Sequence, residues 1–546
     1  MHNSISMDNI PIIQPADASK AFRSPKDDSS VPLRFVLVNP TRTGGDSYIT
    51  PPLHLVYVAS AICEAGHDVS IIDLHYEFQN SINSWGSVEE FERVRFSSLA
   101  DEPMDFLGIG GIPSSYHCAR DLVQLFKARR PEVPIIVGGN MSMPLLSYWH
   151  KLGVDYVVES DGELPIKEFC QFWPDNSRVS KIPGVHHWQP AGYTKTIASY
   201  NKSLDHIGFP KWDLLPNIDD YLAIFRHWTN RILPKDLQLG PNDRMIPIVM
   251  TRGCPYECTF CYHVTRRYRK HSVEYVIEYL KRMKSRYGIT HVFTWDDLIM
   301  VDRNWLSDLC DALITEDLGI KIFTSGGKPD LVTREVLKKM RAAGFLRVSY
   351  GIESGSQEIL DEMKKKTTVA QNRDSVLMAT EEGLFVHLNM IVGMPGESLR
   401  TLMETARFLI GLAKRGVVSG RNLSFSYATG YPGTELYDEM MKRGLVTDTE
   451  SYLKNQAGLG NYKYNLCGIP QRVIKLIINL TFLRVNLSYH LFHRQISSAL
   501  KGFMFDLSKA LAAFVLPAKV LVALRHLVLR RQILQEESDS VPTVAC

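Results

Sequence analysis

The chain has few cysteines, little net charge and no long apolar run. Nine cysteines among 546 residues do not make a disulfide framework, which favours an intracellular protein. A formal net charge of +3 is close to neutral for this length, so no global signature of nucleic-acid binding exists. No uninterrupted apolar run reaches the ~20 residues that span a bilayer. Composition therefore predicts an ordinary globular, cytoplasmic protein without a nucleic-acid partner.

The N-terminal segment also lacks the marks of a targeting sequence. It has no basic stretch followed by an apolar run, so we expect no signal peptide. Residues 1–31 are rich in Asp, Ser and Pro and are expected to form a disordered leader. The rest of the chain is long enough for several domains, because single cores rarely grow past ~250–300 residues.

The region 32–185 alternates short apolar strands with helical patterns. The strand candidates are "LRFVLVNP", "DVSIID", "DFLGIGG", "VPIIVGGN" and "VDYVVES". This alternation predicts a Rossmann-like, doubly wound parallel sheet. Ligands bind such sheets at the carboxyl ends of the strands. The glycine-rich loops "GIGGIPSS" and "VGGNMS" follow two of these strands, and glycine lets a ligand approach the backbone closely.

A second set of strand–helix units occupies residues 244–445. An irregular connector, 186–243, is expected before it because prolines interrupt that segment. From "MIPIVMTRGCP" onward, each strand candidate ends in polar or glycine-rich residues. Repeated units of this kind predict a full or partial TIM-type β/α barrel with its active site at the carboxyl ends of the strands.

Residues 446–546 differ in composition and are expected to form a C-terminal helical region. Between Gln471 and Leu534 there are ten Lys and Arg residues and one acid, Asp506. Apolar residues recur at helical spacing in "VIKLIINLTFLRVNL" and in "LAAFVLPAKVLVALRHLVL". Two interpretations remain open, a helical cap on the barrel and a basic amphipathic surface that contacts a membrane.

Three cysteines lie close together in "TRGCPYECTFCYH": Cys254, Cys258 and Cys261. A structural zinc site usually adds a second Cys pair or a distant His, and the other six cysteines are scattered. Three thiolates leave one iron of a four-iron cluster without a protein ligand, and an open iron can bind a cofactor or substrate. A zinc site would instead contain metal without iron or sulfide.

The spacing Cys-x-x-x-Cys-x-x-Cys, with Phe260 before the third cysteine, resembles the signature of radical S-adenosylmethionine (SAM) enzymes. "TPPLHLVYVASAICEAGHDVSIID", "VGGNMS" and "VDYVVESDGE" resemble the cobalamin-binding domain of one large subfamily. "TWDD", "MRAAGFLRVSYGIESGS", "IVGMPGE" and "YPGTELYDEM" resemble the barrel of the same subfamily. The resemblance to cobalamin-dependent radical SAM enzymes covers most of residues 32–445.

This resemblance implies roles for individual residues in the barrel. The three cysteines would ligate a 4Fe–4S cluster, and the methionyl group of SAM would chelate the open iron. The other expected SAM contacts lie at strand ends, within a strand or on the cysteine loop, and for Asn389 contact with substrate or plain filling of the barrel stays open. They are Phe260 beside the cluster, Asp296 and Asp297 for the amine, Ser325, Glu353 for the ribose, Gly393 and Met394 for the adenine, and Asn389 for SAM or substrate.

In the first domain the resemblance places Ser114 and Ser115 along the corrin ring. Gly138, Gly139 and Asn140 would form the loop at the cobalamin tail. Many cobalamin enzymes ligate cobalt through Asp-x-His-x-x-Gly after the first strand, whereas this loop reads "NPTRTGGDSYITPP" and has no His. "DLHYEF" copies the start of that motif after the second strand, and we interpret it as a chance match. The lower face of cobalt is then expected to be open or water-bound.

The implied activity is methyl transfer to an unactivated carbon. SAM would be cleaved reductively to form a 5′-deoxyadenosyl radical, and methylcobalamin would supply the methyl group to the substrate radical. Two alternatives are radical cyclisation or rearrangement without methyl transfer, and a non-catalytic cobalamin-binding protein. The expected partners are a lipid or secondary metabolite as substrate and an external low-potential electron donor of the flavodoxin or ferredoxin type.

Overall fold

The computed structural model describes residues 31–42, 49–159, 161–194, 196–230, 233–455 and 464–495. Nearly all of the predicted leader lies outside the described residues. The second basic amphipathic segment, "LAAFVLPAKVLVALRHLVL", also lies outside them.

The first sheet has six strands in the order β2-β1-β3-β4-β5-β6. Neighbouring strands from β2 to β5 pair in parallel, and β6 joins the edge antiparallel to β5. Their bounds are β1 Arg34–Asn39, β2 Asp68–Asp73, β3 Phe106–Gly110, β4 Ile135–Gly138, β5 Tyr156–Val158 and β6 Val185–His187. The central strands are buried along almost their whole length, because helices cover a parallel sheet on both faces. The predicted doubly wound sheet is confirmed.

Seven α-helices accompany this sheet: α1 Leu53–Glu64, α2 Leu74–Asn80, α3 Val88–Asp101, α4 Tyr116–Arg129, α5 Leu146–Lys151, α6 Glu163–Phe172 and α7 Asn176–Val179. The "DLHYEF" segment is the start of α2, where the Asp73 carboxylate accepts a hydrogen bond from Tyr76 N and caps the helix. Asp73 also accepts bonds from Asn39 and Tyr221, both at 2.8 Å. Its role in this structure is therefore helix capping and core packing.

The segment predicted as an irregular connector contains a regular helix. It begins with the last residues of β6 and includes α8, Ile218–Asn230. Asp219 and Asp220 in the first turn of α8 favour a helix N-terminus, a signal that the surrounding prolines obscured. The prediction of a wholly irregular connector was wrong.

The second sheet has the order β14-β13-β12-β11-β10-β7. Its strands are β7 Met245–Ile248, β10 His291–Thr294, β11 Lys321–Thr324, β12 Phe345–Glu353, β13 Phe385–Val392 and β14 Leu423–Tyr427. The short strands β8 Thr251–Arg252 and β9 Arg269–Lys270 pair antiparallel beside it. The helices between and after the strands are α9 Val273–Tyr287, α10 Arg303–Glu316, α11 Arg334–Ala342, α12 Gln357–Glu362, α13 Val369–Glu381, α14 Leu399–Ala413, α15 Glu435–Lys442, α16 Thr449–Asn455 and α17 Gln471–Phe492. This alternation of parallel strands with helices is the arrangement expected of the predicted partial barrel.

The chain divides into two compact units. The first unit takes the described residues within Met1–Gly327, Lys338–Val348 and Thr429–Asn461, and the second takes those within Lys328–Leu337, Ser349–Ala428 and Tyr462–Cys546. Strand β12 runs from the first unit into the second. The first unit therefore holds the whole first sheet together with β7 to β11.

In the second unit, α17 confirms the predicted helical C-terminal region. It packs against α14, and Ile474 is buried in a core cluster with Val392, Leu402 and Tyr427. One stripe of α17 stays exposed and includes Arg472, Leu480 and Arg484. Within the part of the chain that the structure describes, no helix is long and apolar enough to cross a membrane.

Candidate active site

The three cysteines follow β8 on one loop of the first unit. Gly253 begins the loop with φ +85°, and a Cβ at this position would lie 2.2 Å from the Arg267 carbonyl oxygen. Only glycine fits such a conformation and contact. Cys254 is buried, Cys258 is half-buried and Cys261 is exposed. The loop thus presents three cysteines within eight residues of a start that Gly253 sets.

Two adjacent carboxylates at the end of β10 hold the start of this loop. Asp297 Oδ2 accepts a hydrogen bond from Gly253 N at 2.7 Å. Asp296 Oδ1 accepts from Met250 N and Thr251 Oγ1, each at 2.9 Å, and also from Thr251 N. Burial raises the pKa of Asp296 to about 6. Asp296 therefore anchors protein backbone, while Asp297 anchors the loop and also lines the cavity described below.

The remaining predicted residues of the barrel part of this unit lie at strand ends or on the cysteine loop. Ser325 follows β11 and donates its hydroxyl proton to the Thr294 carbonyl of the neighbouring strand. Phe260 is half-buried on the cysteine loop. The position of Ser325 follows from the βα pattern, which brings residues after parallel strands to one edge of the sheet.

In the second unit, Glu353 ends β12 with φ +62° and is buried. Its Oε1 accepts from Lys365 Nζ at 2.8 Å. A non-glycine residue at positive φ is uncommon and marks a position that the surrounding structure holds in place. The predicted ribose-binding carboxylate thus has a protein cation as its partner in this structure.

Asn389 and Gly393 also lie in the second unit, on β13 and directly after it. Asn389 Nδ2 donates to Ser349 Oγ at 3.0 Å, and its Oδ1 accepts from Ser424 Oγ at 2.9 Å. Gly393 has φ +84°, and its N–H donates to the buried Glu397 carboxylate. Met394 follows and is fully buried. The "GMPGE" turn is therefore held by a carboxylate from its own last residue.

A cavity of about 440 Å³ lies within the first unit, at the carboxyl ends of the first sheet. Part of its wall is apolar and comes from the sheet and its helices: Phe35, Leu37, Leu55, Ile136, Val158 and Ile166. Another part comes from the segment that carries the cysteines and the strand ends beside it: Thr251, Arg252, Gly253, Tyr262, Thr265, Arg269, Trp295 and Asp297. One cavity is thus shared by the two regions that the sequence assigned to cobalamin and to the cluster.

Glycines shape the sheet side of this cavity. Gly138, Gly139 and Asn140, which the sequence predicts for the cobalamin tail, line it. A Cβ at Gly138 would enter open space, whereas one at Gly108 would lie 2.4 Å from Leu37 Cδ2. The predicted corrin contacts Ser114 and Ser115 are not among the residues of this wall, and Ser115 is buried. Because glycine has no side chain, the glycines of this wall leave room for a bulky group against the ends of β3 and β4.

Four charged groups line the cavity where the two regions meet. Arg252 pairs with Glu163, with Nη2 to Oε1 at 2.7 Å, and with Asp161 Oδ1 at 3.0 Å. Arg269 also pairs with Asp161. Burial acts to raise the pKa of Asp161, but the two guanidinium groups hold it below its usual range. The predictions from sequence missed this cluster, since its members are about a hundred positions apart in the chain.

His54 is a further cavity residue that the sequence predictions missed. It lies in the first turn of α1, directly after the loop in which a cobalt-ligating His was sought. Protein surrounds the side chain, yet the ring is exposed to the cavity. Desolvation by the surrounding protein, with the charge of Arg42, lowers the pKa of His54, which favours the neutral imidazole.

The chemistry of these residues fits both implied groups. The open space at Gly138, with both apolar and polar groups in the cavity wall, suits part of a large cofactor such as cobalamin. Among the described residues, no three His, Cys, Asp or Glu side chains converge closely enough to hold a single metal ion. Three thiols on one loop match the three protein ligands of a four-iron cluster that keeps one iron open.

Comparisons with known proteins agree with this geometry. Residues 248–409 match the family model of the radical SAM superfamily, and residues 46–169 match that of the B12 binding domain. The chain is a radical SAM enzyme. Because a B12 binding domain stands before the radical SAM domain, it is a cobalamin-dependent member of that superfamily, and its cofactors are a 4Fe–4S cluster, SAM and cobalamin.

Individual relatives extend over most of the chain. An uncharacterized methyltransferase of Pyrococcus horikoshii is 29% identical over 408 residues, which cover 72% of this chain and 80% of the relative. The anaerobic magnesium-protoporphyrin IX monomethyl ester cyclase of Rubrivivax gelatinosus is 23% identical, covering 77% of this chain and 72% of the cyclase. The cobalamin-dependent SAM radical enzyme OxsB, solved with aqua-cobalamin and SAM bound, has a TM-score of 0.65 and 16% identity, covering 88% of this chain and 72% of OxsB. The likeness to OxsB confirms the fold.

Proposed function

We propose that this enzyme moves a methyl group from SAM, by way of cobalamin, to an unactivated carbon of a small molecule. One observation carries the proposal. The cavity at the ends of β3 and β4 also has Gly253 and Asp297 in its wall, beside the cysteine loop. A substrate between the two cofactors would meet both of them there. The methyltransferase relative that covers 72% of this chain supports the same activity.

The residues of this chain would bind and orient the reacting groups. Cys254, Cys258 and Cys261 would hold the cluster, and Gly138, Gly139 and Asn140 the cobalamin tail. When bound, the cluster supplies the electron that cleaves SAM and cobalamin carries the methyl group. Of the two predicted carboxylates, Asp297 faces the cavity and is the better placed to pair with the ammonium of SAM. Asp296 would keep the loop in place.

The other predicted SAM contacts stay proposals. Glu353 would share its carboxylate between Lys365 and a ribose hydroxyl, which a carboxylate with two oxygens can do. Gly393 and Met394 would present backbone to adenine. Asn389, whose amide is already oriented by two hydroxyls, would contact SAM or substrate. Ser325 would add a polar contact after β11, and Phe260 would pack beside the cluster.

The substrate class and the electron donor are also part of this proposal. The exposed stripe of α17 combines Arg472 and Arg484 with Leu480 and carries no acid. Such a surface favours an apolar or membrane-associated substrate over a highly polar one. The electron would come from an external low-potential flavodoxin- or ferredoxin-type protein.

A second candidate function is cyclisation or rearrangement without methyl transfer. The observation that favours it is the cyclase relative, which is similar over 77% of this chain. The two functions predict different products from SAM, and that difference supplies the test.

The test is an anaerobic product analysis. The protein is reconstituted with iron, sulfide and hydroxocobalamin, given SAM and a low-potential reductant, and the nucleosides are quantified by chromatography. Formation of both 5′-deoxyadenosine and S-adenosylhomocysteine, lost together in Cys258→Ala, supports methyl transfer. Deoxyadenosine alone favours cyclisation or rearrangement. If neither product forms and the protein binds no iron, the proposal is overturned.

A further inference from the structure

His54 occupies a position from which it can reach a group bound in the cavity. It is the second residue of α1, and the loop from β1 ends directly before this helix. Its side chain is exposed to the cavity although protein surrounds it. Among the described residues of the cavity wall, His54 alone carries an imidazole. The wall includes no cysteine or methionine that could serve as an alternative soft ligand.

The hydrogen bond that His54 makes defines which ring nitrogen is available. Its Nε2 lies 3.3 Å from the Gly110 carbonyl oxygen at the end of β3. A carbonyl oxygen can only accept, so Nε2 carries the proton and Nδ1 keeps its lone pair. Histidines that bind metals almost always donate the other ring N–H to a carbonyl or carboxylate in this way. With Nε2 engaged at the Gly110 carbonyl, Nδ1 is the ring nitrogen left to bind a metal.

The absence of a side chain at Gly110 makes room for the ring. A Cβ at Gly110 would lie 3.2 Å from His54 Cδ2, 3.4 Å from His54 Nε2 and 2.7 Å from Leu55 Cδ2. Any larger residue would push the ring away from the end of β3. The position of the imidazole is therefore set by the strand end and the first turn of α1 together.

We propose that His54 would ligate cobalt through Nδ1 when cobalamin is bound. The neutral imidazole is the form that binds metals. The ligand would come from the first turn of α1 and not from the loop before it, whose sequence contains no histidine. This inference rests on the cobalamin site of the proposed function and adds a ligand to it.

The test is electron paramagnetic resonance of the cobalt(II) form in full-length, cobalamin-loaded protein. Two preparations are compared, one with ordinary histidine and one in which histidine carries nitrogen-15. An axial imidazole splits the cobalt lines into triplets in the first and doublets in the second. Unsplit lines overturn the inference. Triplets in both preparations also overturn it, since they would come from the nucleotide base of the cofactor.

Two variants locate the nitrogen. His54→Gly is expected to bind cobalamin and lose the splitting, whereas His227→Gln, at an exposed site on α8, keeps it. If His54→Gly fails to fold, His54→Ala is measured in its place, and loss of the splitting is expected there too. If the nitrogen splitting persists in His54→Gly, the labelled nitrogen belongs to another histidine and the inference is overturned. Wild-type protein that binds no cobalamin overturns both this inference and the proposed function.

Discussion

The guanidinium of Arg252 meets both oxygens of the Glu163 carboxylate, with Nη2 to Oε1 at 2.7 Å and Nη1 to Oε2 at 3.1 Å. Arg252 belongs to β8, directly before the cysteine loop, and Glu163 is the first residue of α6 beside the first sheet. Both side chains are largely buried. A two-point ion pair of this kind sets orientation as well as distance. It couples the segment that carries the three cysteines to the cobalamin-binding domain inside one unit.

Arg252→Met is expected to destabilise the first unit by ~3–5 kcal/mol, because it leaves a buried carboxylate without its partner. The measurement is the free energy of unfolding in denaturant, followed by circular dichroism. The matched control is Arg443→Met, which removes the exposed pair with Glu439 on α15. That change is expected to cost only about 0–1 kcal/mol. Equal losses in the two variants would contradict the structural role given to Arg252.

Cys258→Ala is expected to lose bound iron and sulfide, because two thiolates cannot replace three around the cluster. The variant should still bind cobalamin, since Cys258 is not part of the cavity wall. Iron, sulfide and cobalamin are quantified after anaerobic reconstitution. Cys310→Ala, a buried thiol on α10, serves as the matched control and should keep its iron. Full iron content in Cys258→Ala would contradict the assignment of the loop.

Gly138→Leu is expected to weaken cobalamin binding while leaving the apoprotein folded. A Cβ at this position meets nothing within 4 Å, so the new side chain would extend into the cavity instead of clashing with protein. Binding is measured by titration of the cofactor absorbance. Gly411→Leu in α14 also meets no neighbouring atom at Cβ and should leave binding unchanged. Unaltered affinity in Gly138→Leu would place cobalamin elsewhere.

Glu397 predicts a pH dependence of stability. Burial raises its pKa from 4.5 to about 7. Between these values the folded protein holds a proton that the unfolded chain releases, so the stability contributed by this group falls as pH rises through the window. Over that window the wild type should lose on the order of 3 kcal/mol relative to Glu397→Gln.

The measurement for Glu397 is the free energy of unfolding in denaturant at the two ends of the window. Glu335→Gln, an exposed site on α11, is the control and should follow the wild type. Parallel pH profiles of wild type and Glu397→Gln would show that this carboxyl does not titrate in the window.

The strands were predictable because buried parallel strands are short apolar runs that end in Asn, Asp or Gly. Both sheets follow from such runs, as in β1 and β3. Helices α2 and α3 were not predicted, because α2 continues directly from β2 and only the capping role of Asp73 separates the two. Helix α8 was missed because nearby prolines favoured an irregular segment.

At the site, the three cysteines could be grouped from the sequence because they lie close together on one loop. The roles of Asp296 and Asp297 could not be separated from sequence, since adjacent carboxylates after a strand differ only in which way each points. His54 was overlooked because the search for a cobalt ligand stopped at the loop. The carbonyl at Gly110 that orients the ring is 56 positions away in the chain.

The central claim is that the methyl group passes from SAM through cobalamin on this protein. The most direct measurement supplies SAM with a trideuterated methyl group to the reduced, cobalamin-loaded enzyme and weighs the extracted cobalamin by mass spectrometry. The account predicts cobalamin that carries the trideuterated methyl group, with S-adenosylhomocysteine formed in equal amount. Cobalamin recovered without the label, while deoxyadenosine still accumulates, would contradict methyl transfer and leave cyclisation or rearrangement as the function.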